Sequence, residues 1–175
     1  MSRKGNVLNQ KNNVSMHHHK GHEDYLITAI AVGSTLILIG TVFAINANLF
    51  DEIGAFFRNL TPVSYPLGSA ASTISLPAPA NPAGHAVFYT ALMQFALGIG
   101  ILQIVILALR LRMKSTTRRI AETVGNLVFW VGAAVLVNSV LAVGTIDSWF
   151  QFWGAFIIVV GVSLVARAIV YLAKK

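Results

Sequence analysis

The sequence predicts an all-α integral membrane protein: four transmembrane helices in an antiparallel bundle, with a short interfacial helix in the one long outer loop. Three observations predict it. Apolar residues make up 55% of the chain and charged residues only 11%, where a soluble domain carries roughly 25% charged residues. The few charges are clustered and leave four long uncharged runs, each able to cross the ~30 Å hydrocarbon core as a helix of about 20 residues. The Lys and Arg residues alternate in number around those runs, which is how a membrane topology is written.

Residues 1–24 are polar, rich in Asn, His and Lys, and lack helical periodicity, so they read as a disordered cytoplasmic tail. The membrane domain occupies 25–175, with spans at about 25–47, 86–109, 123–143 and 149–172 and an outer loop at 48–85. The first apolar run begins at Tyr25 and is too long for a signal-peptide core. Early in the outer loop, Leu49, Phe50, Ile53, Phe57 and Leu60 share a helical face, which predicts the interfacial helix. Thr61 to Ala80 is rich in Ser, Ala and Pro and is expected to be extended and mobile. Asn81-Pro82 opens the second span as a cap followed by proline. That helix is expected to run on into Arg110–Lys114 before Ser115-Thr116-Thr117 breaks it. Gly144 to Asp147 forms a tight turn, after which Ser148 and Gln151 fit a capping box for the fourth span.

Orientation follows from the basic residues. With both termini and the Arg110–Arg119 loop in the cytoplasm, 12 of the 13 Lys and Arg residues lie inside and Arg58 alone lies outside. This makes the chain a multi-pass protein of a cell membrane and offers anionic lipids a basic cytoplasmic face. The net charge of +7 is therefore read as topology and not as a nucleic-acid surface.

Residues with chemical potential are few. There is no cysteine, which removes thiolate chemistry and disulfides. His17, His18, His19 and His22 are weak metal candidates, because imidazoles ligate metals but no acidic residue completes the set and Lys20 intrudes. Within the spans the polar residues are Gln94, Gln103, Asn126, Asn138 and Arg167, with Ser139 and Ser163. Helical rise puts Gln94 and Asn138 in one layer toward the outside, and Gln103, Asn126 and Arg167 in another toward the inside. Each layer is read as interhelical hydrogen bonding. Arg167 is expected to snorkel, with Glu122 or Asn126 as the next choice of partner. His85 reads as an exposed residue at the outer mouth of the second helix, and Asn59-Leu60-Thr61 fits a glycosylation sequon.

Small residues recur at steps of four and seven: Ala29, Gly33, Gly40 and Ala44; Ala91 and Gly98; Ala121, Gly125, Gly132 and Ser139; Gly154, Gly161 and Ala168. Such stripes let helix backbones approach one another. No phosphate loop, cofactor motif or catalytic set is present. The expectation is a non-enzymatic accessory or structural subunit without a cofactor, whose partners are the bilayer and another membrane protein or further copies of itself. A small oligomeric transporter or channel is the alternative.

Overall fold

The structure, a computed structural model, describes residues 25–66 and 73–173; the predicted tail and its four histidines lie outside the described residues. Helix α1 spans Tyr25–Ile45 and α2 spans Leu49–Arg58. Strands β1 (Leu60–Pro66) and β2 (Thr73–Pro79) follow. A 3-10 turn, Pro82–His85, leads into α3 (Ala86–Arg112), and another, Leu141–Val143, precedes the last helix. Helices α4 (Thr117–Ser139) and α5 (Ile146–Ala173) complete the chain. Among the described residues four helices (α1, α5, α3 with its entry turn, and α4 with the turn that follows it to Val143) are long and apolar enough to cross a membrane, which fits a multi-pass membrane protein.

The long helices pack as neighbours, α3 along α4 and α4 along α5. Small residues set how closely they meet. Ala96 on α3 and Ala133 and Ala134 on α4 form a buried cluster against Trp130. A side chain at Gly132 would press a Cβ to 2.7 Å from Val159, and one at Gly98 would collide with Leu38 of α1. Helix α1 joins the assembly through this contact and through Val42, which packs with Leu49 and Ala91.

Asn48 makes the turn from α1 to α2 in the left-handed region (φ 62°), which asparagine tolerates better than other side chains. The buried face of α2 is Leu49, Ile53 and Phe56, with Phe50 and Phe57 left exposed. Leu49 and Ile53 of the apolar face expected from sequence lie on this packed side, joined there by Phe56. One face of a short helix is settled by what it docks on, and here two clusters at the ends of α1, α3 and α5 claim residues 49, 53 and 56.

The mobile stretch expected after α2 is instead a paired antiparallel hairpin across the described residues, with Leu60 opposite Pro79 and Pro66 opposite Thr73. The Ala80 N–H donates to the Asn59 carbonyl at 2.9 Å. That makes 59–80 a hydrogen-bonded pair and, by alternation, Thr61–Ala78, Val63–Leu76 and Tyr65–Ile74 as well. Pro62, Pro66, Pro77 and Pro79 all fall at the alternate positions, where the missing N–H would have pointed away from the partner strand.

Gly144 takes φ 71°, and a Cβ there would sit 3.0 Å from Ala83 Cα, so glycine meets both demands of this turn. The helix start after it differs from the expected one. The Ser148 N–H donates to Thr145 Oγ1 and the Thr145 N–H donates to Ser148 Oγ, both at 3.1 Å. Thr145 is therefore the cap and Ser148 the reciprocal partner, and α5 begins three residues earlier than the sequence reading placed it.

Candidate functional site

The end of the molecule that carries α2 and the hairpin is built around Phe56. Its ring lies 4.5 Å from Phe88 in a stacked arrangement, 5.8 Å from Trp149 and 5.3 Å, edge-on, from His85. Two ties bring the hairpin onto this cluster. Trp149 Nε1–H donates to the Pro77 carbonyl at 3.1 Å, and the Tyr65 ring packs 4.3 Å from Phe150. Alternation along the strands turns Val63, Tyr65, Ile74, Leu76 and Ala78 to one side, and Ala78 is fully buried on it. Between this face and the opening turns of α3 and α5 lies a half-open cavity of about 770 Å³. Its lining includes Phe56, Tyr65, Ile74, Leu76, Leu92 and Trp153 and is almost wholly apolar.

His85 is not the exposed residue expected at the helix mouth. It is 5% exposed, and Asn59 Nδ2 lies 2.9 Å from its Nε2. With the amide as donor, Nε2 accepts and the ring proton belongs on Nδ1, which is buried without a partner among the described residues. The same contact engages the Asn59 amide, the acceptor of the expected sequon. Tyr89, four residues on from His85, buries its hydroxyl, also without a partner among the described residues. A smaller cavity of about 120 Å³ on the far side of Tyr89 is lined by Asn138, Thr90 and Met93.

The two expected polar layers come together only in part. In the first, Gln94 and Asn138 do not bond; Gln94 Oε1 accepts from Asn46 Nδ2 at 2.7 Å, at the end of α1. In the second, Arg167 Nη2 donates to Asn126 Oδ1 at 3.2 Å, while Gln103 makes no side-chain hydrogen bond among the described residues. Glu122 is taken by Arg118 at 3.1 Å on the exposed face of α4, so it does not pair with Arg167. Arg167 does not reach freely for the helix end as expected. Its side chain lies over Gly125, where an added Cβ would come within 3.0 Å of Nε, and that nitrogen is buried without a partner among the described residues. Ser139 and Ser163 donate to the carbonyls of Val135 and Val160 in their own helices.

The opposite end is closed by Arg110, which the sequence reading had counted only as a topology charge. Its Nη1 donates to the Arg119 carbonyl at 2.5 Å and to Thr123 Oγ1 at 2.6 Å, clasping the α3–α4 turn. Lys114 (φ 49°) reverses the chain there, and the Ser115 N–H returns to the Arg110 carbonyl.

No protein-family model, curated protein or solved structure matches this chain.

Proposed function

We propose that the chain is a non-catalytic multi-pass membrane protein, an accessory or structural subunit that packs against other membrane proteins through the outward faces of α1 and α5. One observation carries the reading: the small-residue stripes divide into two kinds. Among the described residues, Gly98, Gly125 and Gly132 are filled by neighbouring helices, whereas Gly33 and Gly40 on α1 and Gly154 and Gly161 on α5 have nothing within 4 Å. Each open pair keeps the seven-residue spacing that holds glycines on one line of a helix. Glycine in a helix costs about 1 kcal/mol relative to alanine, and close approach of another helix is what offsets it in a bilayer. The 12-to-1 distribution of basic residues supports cytoplasmic termini. The exposed Phe50 and Phe57 rings support an interfacial position for α2.

Gly40→Leu and Gly161→Leu test the packing role. Both side chains enter open space, so the purified chain should keep its detergent melting temperature while co-purifying membrane partners or self-association are lost. Unchanged association with both variants would refute the role. A single cysteine at Ser115 in intact cells should resist an impermeant thiol reagent, and ready labelling there would reverse the orientation.

A further inference from the structure

We propose that the cavity beneath the hairpin is a binding site for one acyl chain of a membrane phospholipid. The inference rests on α3 and α5 crossing the membrane, but not on what packs against α1. At about 770 Å³ the cavity falls within the ~300–1,000 Å³ of ligand sites. Its walls decide the class of ligand. Trp149 Nε1–H is spent on the Pro77 carbonyl, and the Tyr89 hydroxyl is buried out of reach. The remaining lining is Phe, Leu, Ile and Pro with Tyr65 and Trp153, whose hydroxyl and indole N–H are the polar side-chain groups left in an otherwise apolar wall. Water would lose hydrogen bonds on entering such a space. A peptide would bring backbone N–H and C=O groups that these walls cannot satisfy. An empty space would forfeit dispersion contacts over its whole lining.

A hydrocarbon chain has none of these penalties, and the position supplies one. Phe88, Tyr89 and Leu92 belong to the first two turns of α3, and Trp149 to Trp153 lie within about 12 Å of the start of α5. The cavity therefore opens at the depth where acyl chains begin, with Phe57 and Trp153 exposed on its rim. Aromatic residues favour that boundary. The paired strands form the wall opposite the helices, so a chain entering from the side is held between hairpin and helix ends.

The test reconstitutes the full chain in phosphatidylcholine vesicles carrying a small fraction of phosphatidylcholine with a diazirine in the middle of one acyl chain. Peptide mapping after illumination should find adducts on Ile74 and Leu76, whose side chains face the cavity, besides those on the exposed α5 residues Ile157 and Ile158. Filling the space from the helix side with Leu92→Trp, or from the hairpin side with Ile74→Trp, should lower the Leu76 adduct about tenfold, equal to roughly 1.4 kcal/mol of lost affinity. Adducts at Ile157 should stay unchanged in both variants and report intact reconstitution. Absence of adducts on Ile74 and Leu76 in the parent chain would overturn the proposal. So would Leu76 labelling that both filled variants leave unchanged, because the hairpin would then be touching bulk lipid from outside. Loss of the adducts on adding excess free oleate would assign the site to fatty acids and overturn the phospholipid occupant.

Discussion

The two ends of the molecule hold their helices by opposite means. At the hairpin end, rings do the work: Phe56 touches the aromatic or imidazole rings of five other residues, and the hairpin is held there by one indole hydrogen bond and the tilted contact of Tyr65 with Phe150. At the basic end, a single guanidinium clasps the turn between α3 and α4 through two short, directed hydrogen bonds. Ring packing is non-directional and tolerates a cavity beside it. A charge-assisted clasp fixes one geometry and leaves no room. A molecule that must present a cleft at one end and a tight turn at the other has reason to use both.

Phe56→Ala should have the largest effect. Truncating a buried phenylalanine costs about 3–5 kcal/mol, and here it removes the contact that joins α2 to α3 and α5. Detergent melting should drop by many degrees and protease sensitivity should rise first in 49–79. An even loss across the whole chain would show that the hairpin end is not a separate unit. Arg110→Ala should come next, at about 2 kcal/mol, since hydrogen bonds from a charged donor are worth roughly 1.5–3 kcal/mol and Thr123 is left buried. Arg110→Lys should recover part of this, because an ammonium reaches one acceptor more easily than two. If Lys restored full stability, the clasp would be a charge effect and the contrast between the two ends would weaken.

The four long helices were legible because uncharged length alone determines them, but their ends moved. Helix α4 runs 117–139 where 123–143 was expected, starting among charged residues that a hydropathy reading excludes, and α5 starts early at the Thr145 cap. The hairpin was not read, although Val63-Ser64-Tyr65 and Ile74-Ser75-Leu76-Pro77-Ala78 carry the period of two that marks strands. Four prolines interrupt that alternation and give the segment the composition of a loop. Depth arithmetic brought Asn126 to Arg167 correctly but matched Gln94 with Asn138, because rise along a helix says nothing of rotation about it. The partner that Gln94 does find, Asn46, falls in the last turn of the expected first span and just past the observed end of α1, where a polar residue raises no question. His85 looked exposed for a similar reason: nothing local announces that Phe56 and Asn59 will close over it.

The placing of the four prolines has one more consequence. A two-stranded ribbon has two free edges, and an edge is a template on which another strand can grow. On β1 the outward positions are Leu60, Pro62, Ser64 and Pro66; on β2 they are Thr73, Ser75, Pro77 and Pro79. Half the donors on each edge are therefore missing, and an incoming strand would find every ladder interrupted. Many copies of this chain, concentrated side by side in one membrane, can thus expose their hairpins without being drawn into a shared sheet. Whatever meets this ribbon must recognise its side chains, because its backbone offers too little to hold.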